Sequence, residues 1–261
     1  MNPRLDGKVV FVSGGGGGIG HAACLAFAAA GARVAACDLD AARAERAAQA
    51  VRDARGEAIA LSADLREDAQ VAAAVNAAAG RFGGLDILFN CAGGSVPEDD
   101  TVVDVPLEVF DRTIGLDLRG TFLCCRHAIP HMIAAGGGAI VNMSSGAALR
   151  GASPHHVYTA AKGAILSLTR ALAATYAKHN IRANVIASGR VMTERIIRQW
   201  GGLDAQADGR DPQDPVGRLR EYPFWVGEPE HVAATAVFLA SDAARMITGA
   251  TIAADGGRSA Y

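Results

Sequence analysis

Short apolar runs alternate with longer alanine-rich stretches from one end of the chain to the other. The runs Val9 to Val12, Arg33 to Cys37, Ala58 to Leu61, Ile87 to Asn90, Ala139 to Met143, Arg182 to Ile186 and Thr251 to Ala253 read as seven strands. Between them, stretches such as 19–30, 40–54, 67–81, 107–134 and 157–178 read as helices, several stopped by Gly31, Gly56 or Gly136. Strand and helix in alternation predict the α/β class: a three-layer, doubly wound, parallel seven-stranded sheet with right-handed crossovers. Residues 194–226 break the rhythm, being polar and interrupted by glycine and proline. A long irregular insert in such a domain reads as a substrate-binding lid. The alanine richness has no fixed period, so it reflects helix propensity rather than a repeat.

With 261 residues, 50% of them hydrophobic, the chain can bury one sizeable core, and residues 1–261 read as a single domain. A formal net charge of -2 with no basic run excludes nucleic acid or an anionic membrane as the main partner, which leaves a small molecule. The five cysteines show no CxxC spacing, and four of them sit in apolar stretches, so they read as reduced and structural rather than as metal ligands. The opening MNPRLDGKVVFV places Asp6 and Lys8 ahead of the first apolar run and lacks the long apolar region of a secretory signal. No charge-free apolar stretch reaches the roughly 20 residues of a membrane span. A cytoplasmic location is expected.

VSGGGGGIG, residues 12–20, follows the first strand and opens the first helix. That is where backbone N–H groups can be aimed at a pyrophosphate. The run satisfies both GxGxxG (Gly15, Gly17, Gly20) and GxxxGxG (Gly14, Gly18, Gly20), so its register is open on pattern alone. Asp38 ends the second strand, where a carboxylate can accept both ribose hydroxyls of an adenosine and repel a 2'-phosphate. No lysine or arginine stands in the glycine turn or directly after Asp38. NAD is therefore expected over NADP. The same carboxylate is also placed to cap the helix starting near Asp40.

In YTAAK, Tyr158 and Lys162 are four apart in a helical stretch and share one face. A free tyrosine titrates near pH 10, roughly, and the neighbouring ammonium favours the phenolate, so Tyr158 can exchange a proton with an alcohol near neutrality.

These motifs, in this order, resemble the one-domain short-chain dehydrogenase/reductase family over essentially the whole length. The family's TGxxxGIG turn appears as SGGGGGIG, which places Ser13, Gly14, Gly18, Ile19 and Gly20 at the cofactor. Its adenine-side aspartate matches Asp64, followed by Leu65. Its NNAG matches NCAG, with Asn90, Ala92 and Gly93 beside the cofactor and Cys91 replacing the second asparagine. Its serine matches Ser145, ahead of Ser144. The segment GRVMT resembles the one that holds the carboxamide, here Gly189, Val191 and Thr193.

The resemblance implies hydride transfer between the nicotinamide and a carbinol carbon. Tyr158 would be acid or base, Ser145 would bind the substrate oxygen, and Lys162 would bind the ribose. Two departures stand out: Asp117 where the family has an asparagine supporting a proton relay, and Ser188 where its turn reads Pro-Gly. Asp117 is expected to stabilise the Lys162 ammonium while offsetting its pull on Tyr158. The family also implies a homotetramer, and the apolar MITGATIAADGG suits burial at such a contact. His155 and Trp225 are candidates for the substrate pocket. The balanced charges of the insert identify no charged substrate.

The resulting expectation is an NAD-dependent dehydrogenase acting on a secondary alcohol or its ketone. A reductase of 3-oxoacyl thioesters is the alternative enzyme. A catalytically silent dinucleotide-binding sensor is the non-enzyme alternative, disfavoured by the intact Ser145, Tyr158 and Lys162.

Overall fold

In the computed structural model, residues 3–151, 153–200 and 224–260 are described. Strand β1 (Val9–Ser13) is buried along its whole length. Its side chains divide with the period of two that a strand imposes. Val10 and Val12 join the apolar layer on one face of the sheet, with Phe27 and Leu239. Val9 and Phe11 join the layer on the other, with Leu88 and Met132.

The other sheet strands are β2 (Arg33–Asp38), β3 (Ala58–Ser62), β4 (Ile87–Asn90), β5 (Gly138–Ser145), β6 (Ile181–Ser188) and β9 (Thr251–Ala254). All pair in parallel in the order β3-β2-β1-β4-β5-β6-β9. The seven-stranded, doubly wound sheet expected from the alternation is therefore present. Two short strands, β7 (Arg190–Val191) and β8 (Val226–Gly227), pair separately beyond β6 and were not expected.

Helix α1 (Gly18–Ala29) packs with α8 (Pro229–Ala240) over one face. Helix α3 (Asp68–Phe82) packs with α5 (Gly120–Ala134) over the other. Helix α2 (Ala41–Asp53) starts on Asp40, whose carboxylate accepts the Ala42 and Arg43 N–H groups. Asp38 is thus not the cap of that helix. The stop after α2 also differs from expectation, since the left-handed residue is Arg55 (φ 64), one position before Gly56.

The stretch 107–134, expected as one helix, is three pieces. Helix α4 (Leu107–Thr113) leads into a π-helical turn over Ile114–Arg119 and then α5. The wider turn is closed by Gly120 N–H on Gly115 O, and it turns Asp117 inward as its one buried residue. Such π-turns recur at functional sites.

Helix α6 (His156–Tyr176) carries Tyr158 and Lys162. In the insert, α7 (Glu194–Trp200) is helical where an irregular segment was expected. The lid reading of 201–223 falls outside the described residues. No helix among the described residues is long and apolar enough to cross a membrane.

Candidate active site

Parallel sheets open their binding crevice beyond the carboxyl ends of the strands, where the order of strands reverses. Here β1 and β4 lie side by side and lead away in opposite directions. A cavity of about 300 Å³ lies beyond these ends, lined by Ile19, Ser145, Tyr158, Lys162, Gly189 and Thr193 among others.

The glycine turn is built for close approach. A Cβ on Gly20 would stand 2.0 Å from Gly14 O, so helix α1 starts against the turn only because position 20 has no side chain. Gly14 itself is left-handed, at φ +67. A Cβ on Gly18 would meet Thr193 Cγ2 at 2.8 Å, which brings the turn against the GRVMT segment. Ser13 Oγ accepts the Cys91 and Ala92 N–H groups at 3.2 and 3.4 Å, tying β1 to the NCAG loop.

Asp38 Oδ2 accepts the Gly16 N–H at 3.0 Å, and Oδ1 accepts the Asp40 N–H at 3.1 Å. The carboxylate is therefore held at the mouth of the turn. One contact was not visible in sequence order: a Cβ on Gly16 would lie 2.4 Å from Arg43 Cβ. An arginine five positions after Asp38 thus stands beside the turn, its guanidinium 3.7 Å from Asp40. Further along the same edge, Asp64 is bound by Arg66 at 2.6 Å, and this hydrogen bond holds its carboxyl below the usual range. Leu65 behind it is buried.

Asn90 spends its side chain inside the protein. Its Nδ2 donates to Asn142 Oδ1 at 2.8 Å, and Asn142 Nδ2 donates to Thr169 Oγ1 at 2.8 Å. This buried chain joins β4, β5 and α6. Cys91 lines the cavity, and burial pushes its thiol up to about 12, so it is a neutral group there.

At the Tyr158 end of the cavity, the two serines separate by their partners. Ser144 Oγ donates to Lys162 O at 2.8 Å and is buried. Ser145 Oγ accepts the Ala147 N–H at 3.2 Å and is half-buried; both serines line the cavity. Lys162 Nζ stands 5.6 Å from the Tyr158 ring centre, 3.4 Å from Met143 O and 3.1 Å from Asp117 Oδ2. The side chains of Lys162 and Asp117 are only 4% and 1% exposed. Burial alone would pull the Lys162 ammonium down, but the charges of Asp117 and Tyr158 and the hydrogen bond to Asp117 outweigh it and hold it above its ordinary value.

Asp117 is positioned from two sides. Its carboxylate oxygens accept the Gly94 N–H at 3.2 and 3.1 Å. A Cβ on Gly93 would fall 2.4 Å from Asp117 Oδ1, so only glycine lets the loop close over the carboxylate.

His155 lines the cavity and donates from Nδ1 to Asp99 O at 2.7 Å. Trp225 is not among the lining residues; its ring lies under the guanidinium groups of Arg190 and Arg258, at 5.5 and 6.0 Å. Gly93, Gly189, Val191 and Thr193 all line the cavity. Sequence reasoning missed Asp99, a buried carboxylate whose oxygens accept the Val157 and Tyr158 N–H groups. Its partners are nearly sixty positions away, and no local pattern marks it.

The doubly wound parallel sheet thus carries a glycine turn at the reversal of strand order and brings a tyrosine and a lysine to one cavity wall. Comparison with known proteins identifies the family. A family profile described as enoyl-(acyl carrier protein) reductase matches residues 14–259. The chain is 41% identical to D-threitol dehydrogenase of Mycolicibacterium smegmatis, over 97% of this chain and 94% of that protein.

It superposes on a putative short-chain alcohol dehydrogenase from Sinorhizobium meliloti with a TM-score of 0.87, at 35% identity over 98% of both chains. It also superposes on 7α-hydroxysteroid dehydrogenase complexed with NADH and 7-oxo glycochenodeoxycholic acid. There the TM-score is 0.85 at 29% identity, over 98% of this chain and 96% of that one. The chain belongs to the short-chain dehydrogenase/reductase family.

Proposed function

We propose that this protein is an NAD-dependent dehydrogenase that oxidises a small secondary alcohol, with Tyr158 as the proton-transferring residue. The observation that carries the reading is the placement of Ser145, Tyr158 and Lys162 on the wall of one cavity. Ile19, at the end of the glycine turn, lines the same cavity.

The residues fit a dinucleotide. The N–H groups of Gly15, Gly16 and Gly17 are taken by Cys37 O, Asp38 and Gly14 O, so a pyrophosphate would be received by the amides that open helix α1 at Gly18, Ile19 and Gly20. Asp38 is held to receive ribose hydroxyls, and Asp64 and Leu65 flank the adenine side. Ala92, Gly93, Gly189, Val191 and Thr193 border the place for a nicotinamide. When bound, that ring supplies the hydride acceptor.

The chain's own part is proton chemistry and positioning. Ser145 Oγ donates to the substrate oxygen. Tyr158 takes the hydroxyl proton during oxidation and returns it during reduction. Lys162, buried and charged, stabilises negative charge as it forms on the phenol. Asp117 keeps that ammonium in place, while its own charge offsets part of the effect. Asn90 acts through the Asn142–Thr169 chain, holding strand ends and helix α6 in register.

The name of the M. smegmatis relative supports a small polyol or diol as the substrate class. A reductase of acyl thioesters is not favoured, and the intact serine, tyrosine and lysine speak against a silent sensor. Exposed Leu107, Phe110 and Phe122 on α4 and α5 support self-association, with a homotetramer as the proposed assembly.

The test begins with thermal-shift titration by NAD and NADP side by side, since selective binding raises the melting temperature by linkage. Turnover of D-threitol, cyclohexanol and isopropanol follows. Stabilisation by NAD, turnover of at least one alcohol, and its loss in Tyr158→Phe with NAD binding retained are expected. Stabilisation by NADP alone overturns the cofactor assignment, and no turnover of any alcohol overturns the dehydrogenase reading.

A further inference from the structure

Helix α6 begins without a cap of its own. Its flanking residue, His155, offers no side-chain hydrogen bond to the first turn. Yet the first three amides of the helix are all satisfied from one distant loop. His156 N–H donates to Asp100 O at 3.3 Å, Val157 N–H to Asp99 Oδ1 at 3.2 Å, and Tyr158 N–H to Asp99 Oδ2 at 2.8 Å.

Asp99 is 3% exposed. Among the described residues no cationic side chain lies within ion-pair distance of it, so the positive end of the helix is what balances its charge. Two histidines fasten the loop more firmly. His155 Nδ1–H donates to Asp99 O at 2.7 Å, and His156 Nδ1 accepts the Val102 N–H at 3.0 Å. Adjacent histidines thus use Nδ1 in opposite senses, one as donor and one as acceptor.

The same loop starts at Gly93 and Gly94, where the Gly94 N–H holds Asp117 and, through it, Lys162. One segment therefore grips both members of the proton-handling pair. Its first residues act on Lys162 through Asp117, and Asp99 acts on Tyr158 through the backbone.

We propose that Asp99 is a positioning residue of the reaction: its carboxylate serves as the remote cap of the helix bearing Tyr158 and sets where the phenol stands against Ser145 and Lys162. The inference rests on the dehydrogenase reading above. A displacement of about 1 Å can cost 10²-fold in rate. Asp99→Ala is therefore expected to lower kcat by about 10- to 100-fold, while KM for NAD stays within about twofold. Asp99→Asn keeps an acceptor oxygen and is expected to recover part of the loss.

The experiment measures kcat and KM with NAD and whichever of D-threitol, cyclohexanol and isopropanol turns over best, for wild type and both variants. Melting temperature and the NAD-induced shift are recorded alongside, together with hydrogen exchange at the Val157 and Tyr158 amides. Retained NAD binding with a kcat-specific loss, graded from Asn to Ala, supports the proposal. Wild-type kcat in Asp99→Ala, at whatever melting temperature, reduces Asp99 to a structural cap and overturns it.

If Asp99→Ala does not fold, Asp99→Asn decides: a kcat at least threefold below wild type with the NAD shift intact supports the proposal, and wild-type kcat overturns it. Absence of turnover in the wild type defeats the dehydrogenase reading instead. In that case exchange at the two amides as fast in wild type as in the variants shows that the cap itself is wrong.

Discussion

Replacing Asp117 by asparagine removes one buried negative charge from beside Lys162 while keeping the shape of the side chain. At 3.1 Å from Lys162 Nζ, with an effective dielectric of about 20, the attraction is about 5 kcal/mol before desolvation is subtracted. Breaking a buried pair by removing one partner costs about 3–5 kcal/mol, because the remaining charge is left uncompensated. Asparagine still offers an oxygen to Lys162 or to the Gly94 N–H. The expected loss is therefore smaller, about 2–3 kcal/mol.

The pH dependence has a definite sign. Lys162 is held above its ordinary 10.5, so the stabilisation is fully present below that value and is lost only as pH rises through the higher folded-state value. Urea unfolding of wild type and Asp117→Asn at several pH values between about 6 and 9 should then give the same difference throughout. A difference below about 0.5 kcal/mol would refute the reasoning, since it falls within the roughly 0.2–1 kcal/mol of an exposed, solvent-screened pair. In kinetics, the ammonium less offset beside Tyr158 should move the acid limb of the kcat/KM profile to lower pH. An unmoved limb would show that Asp117 supports structure without acting on proton transfer.

Other substitutions test other parts of the site. Asp38→Ser should raise the NADP-to-NAD ratio of kcat/KM at least about tenfold, since it removes a repelling carboxylate beside Arg43; steady-state kinetics with both cofactors would show an unchanged ratio if Asp38 does not select. Ser145→Ala should lower kcat by about 10²-fold, the scale of one lost donor to a reacting oxygen. Ser144→Ala should chiefly lower the melting temperature, because its hydroxyl is bound to Lys162 O; equal kinetic losses in the two variants would reverse their roles. Gly20→Ala should abolish the NAD-induced thermal shift and destabilise the fold, since its Cβ meets Gly14 O at 2.0 Å; a retained shift would mean that the turn does not hold the dinucleotide.

The strand pattern, the glycine turn and the Tyr158–Lys162 pair were legible in the sequence because each depends on near neighbours. An apolar run buried on both faces, a chain reversal between strand and helix, and two side chains one helical turn apart are local facts. The order of the motifs added the family and, with it, Ser145, Asp64 and the NCAG loop. The π-turn at Ile114–Arg119 was not legible, since 107–134 carries one continuous helical pattern and the partners of Asp117, Lys162 and the Gly94 N–H, come from other segments. Strands β7 and β8 pair only because the chain returns after the insert, and Arg43 reaches the glycine turn only because α2 packs beside it.

The sequence by itself determined the α/β architecture, the glycine turn after β1 and the Tyr158–Lys162 pair on one helix face, because hydrophobic periodicity and short spacings survive in one dimension. Only the tertiary structure decided that Asn90 is spent on the interior, that Ser144 donates to a helix carbonyl while Ser145 accepts a neighbouring backbone N–H, and that Asp99 caps the helix of Tyr158 from 59 positions away. Those assignments are hydrogen bonds between segments that approach one another only once the sheet is assembled, and nothing in the neighbouring residues records them.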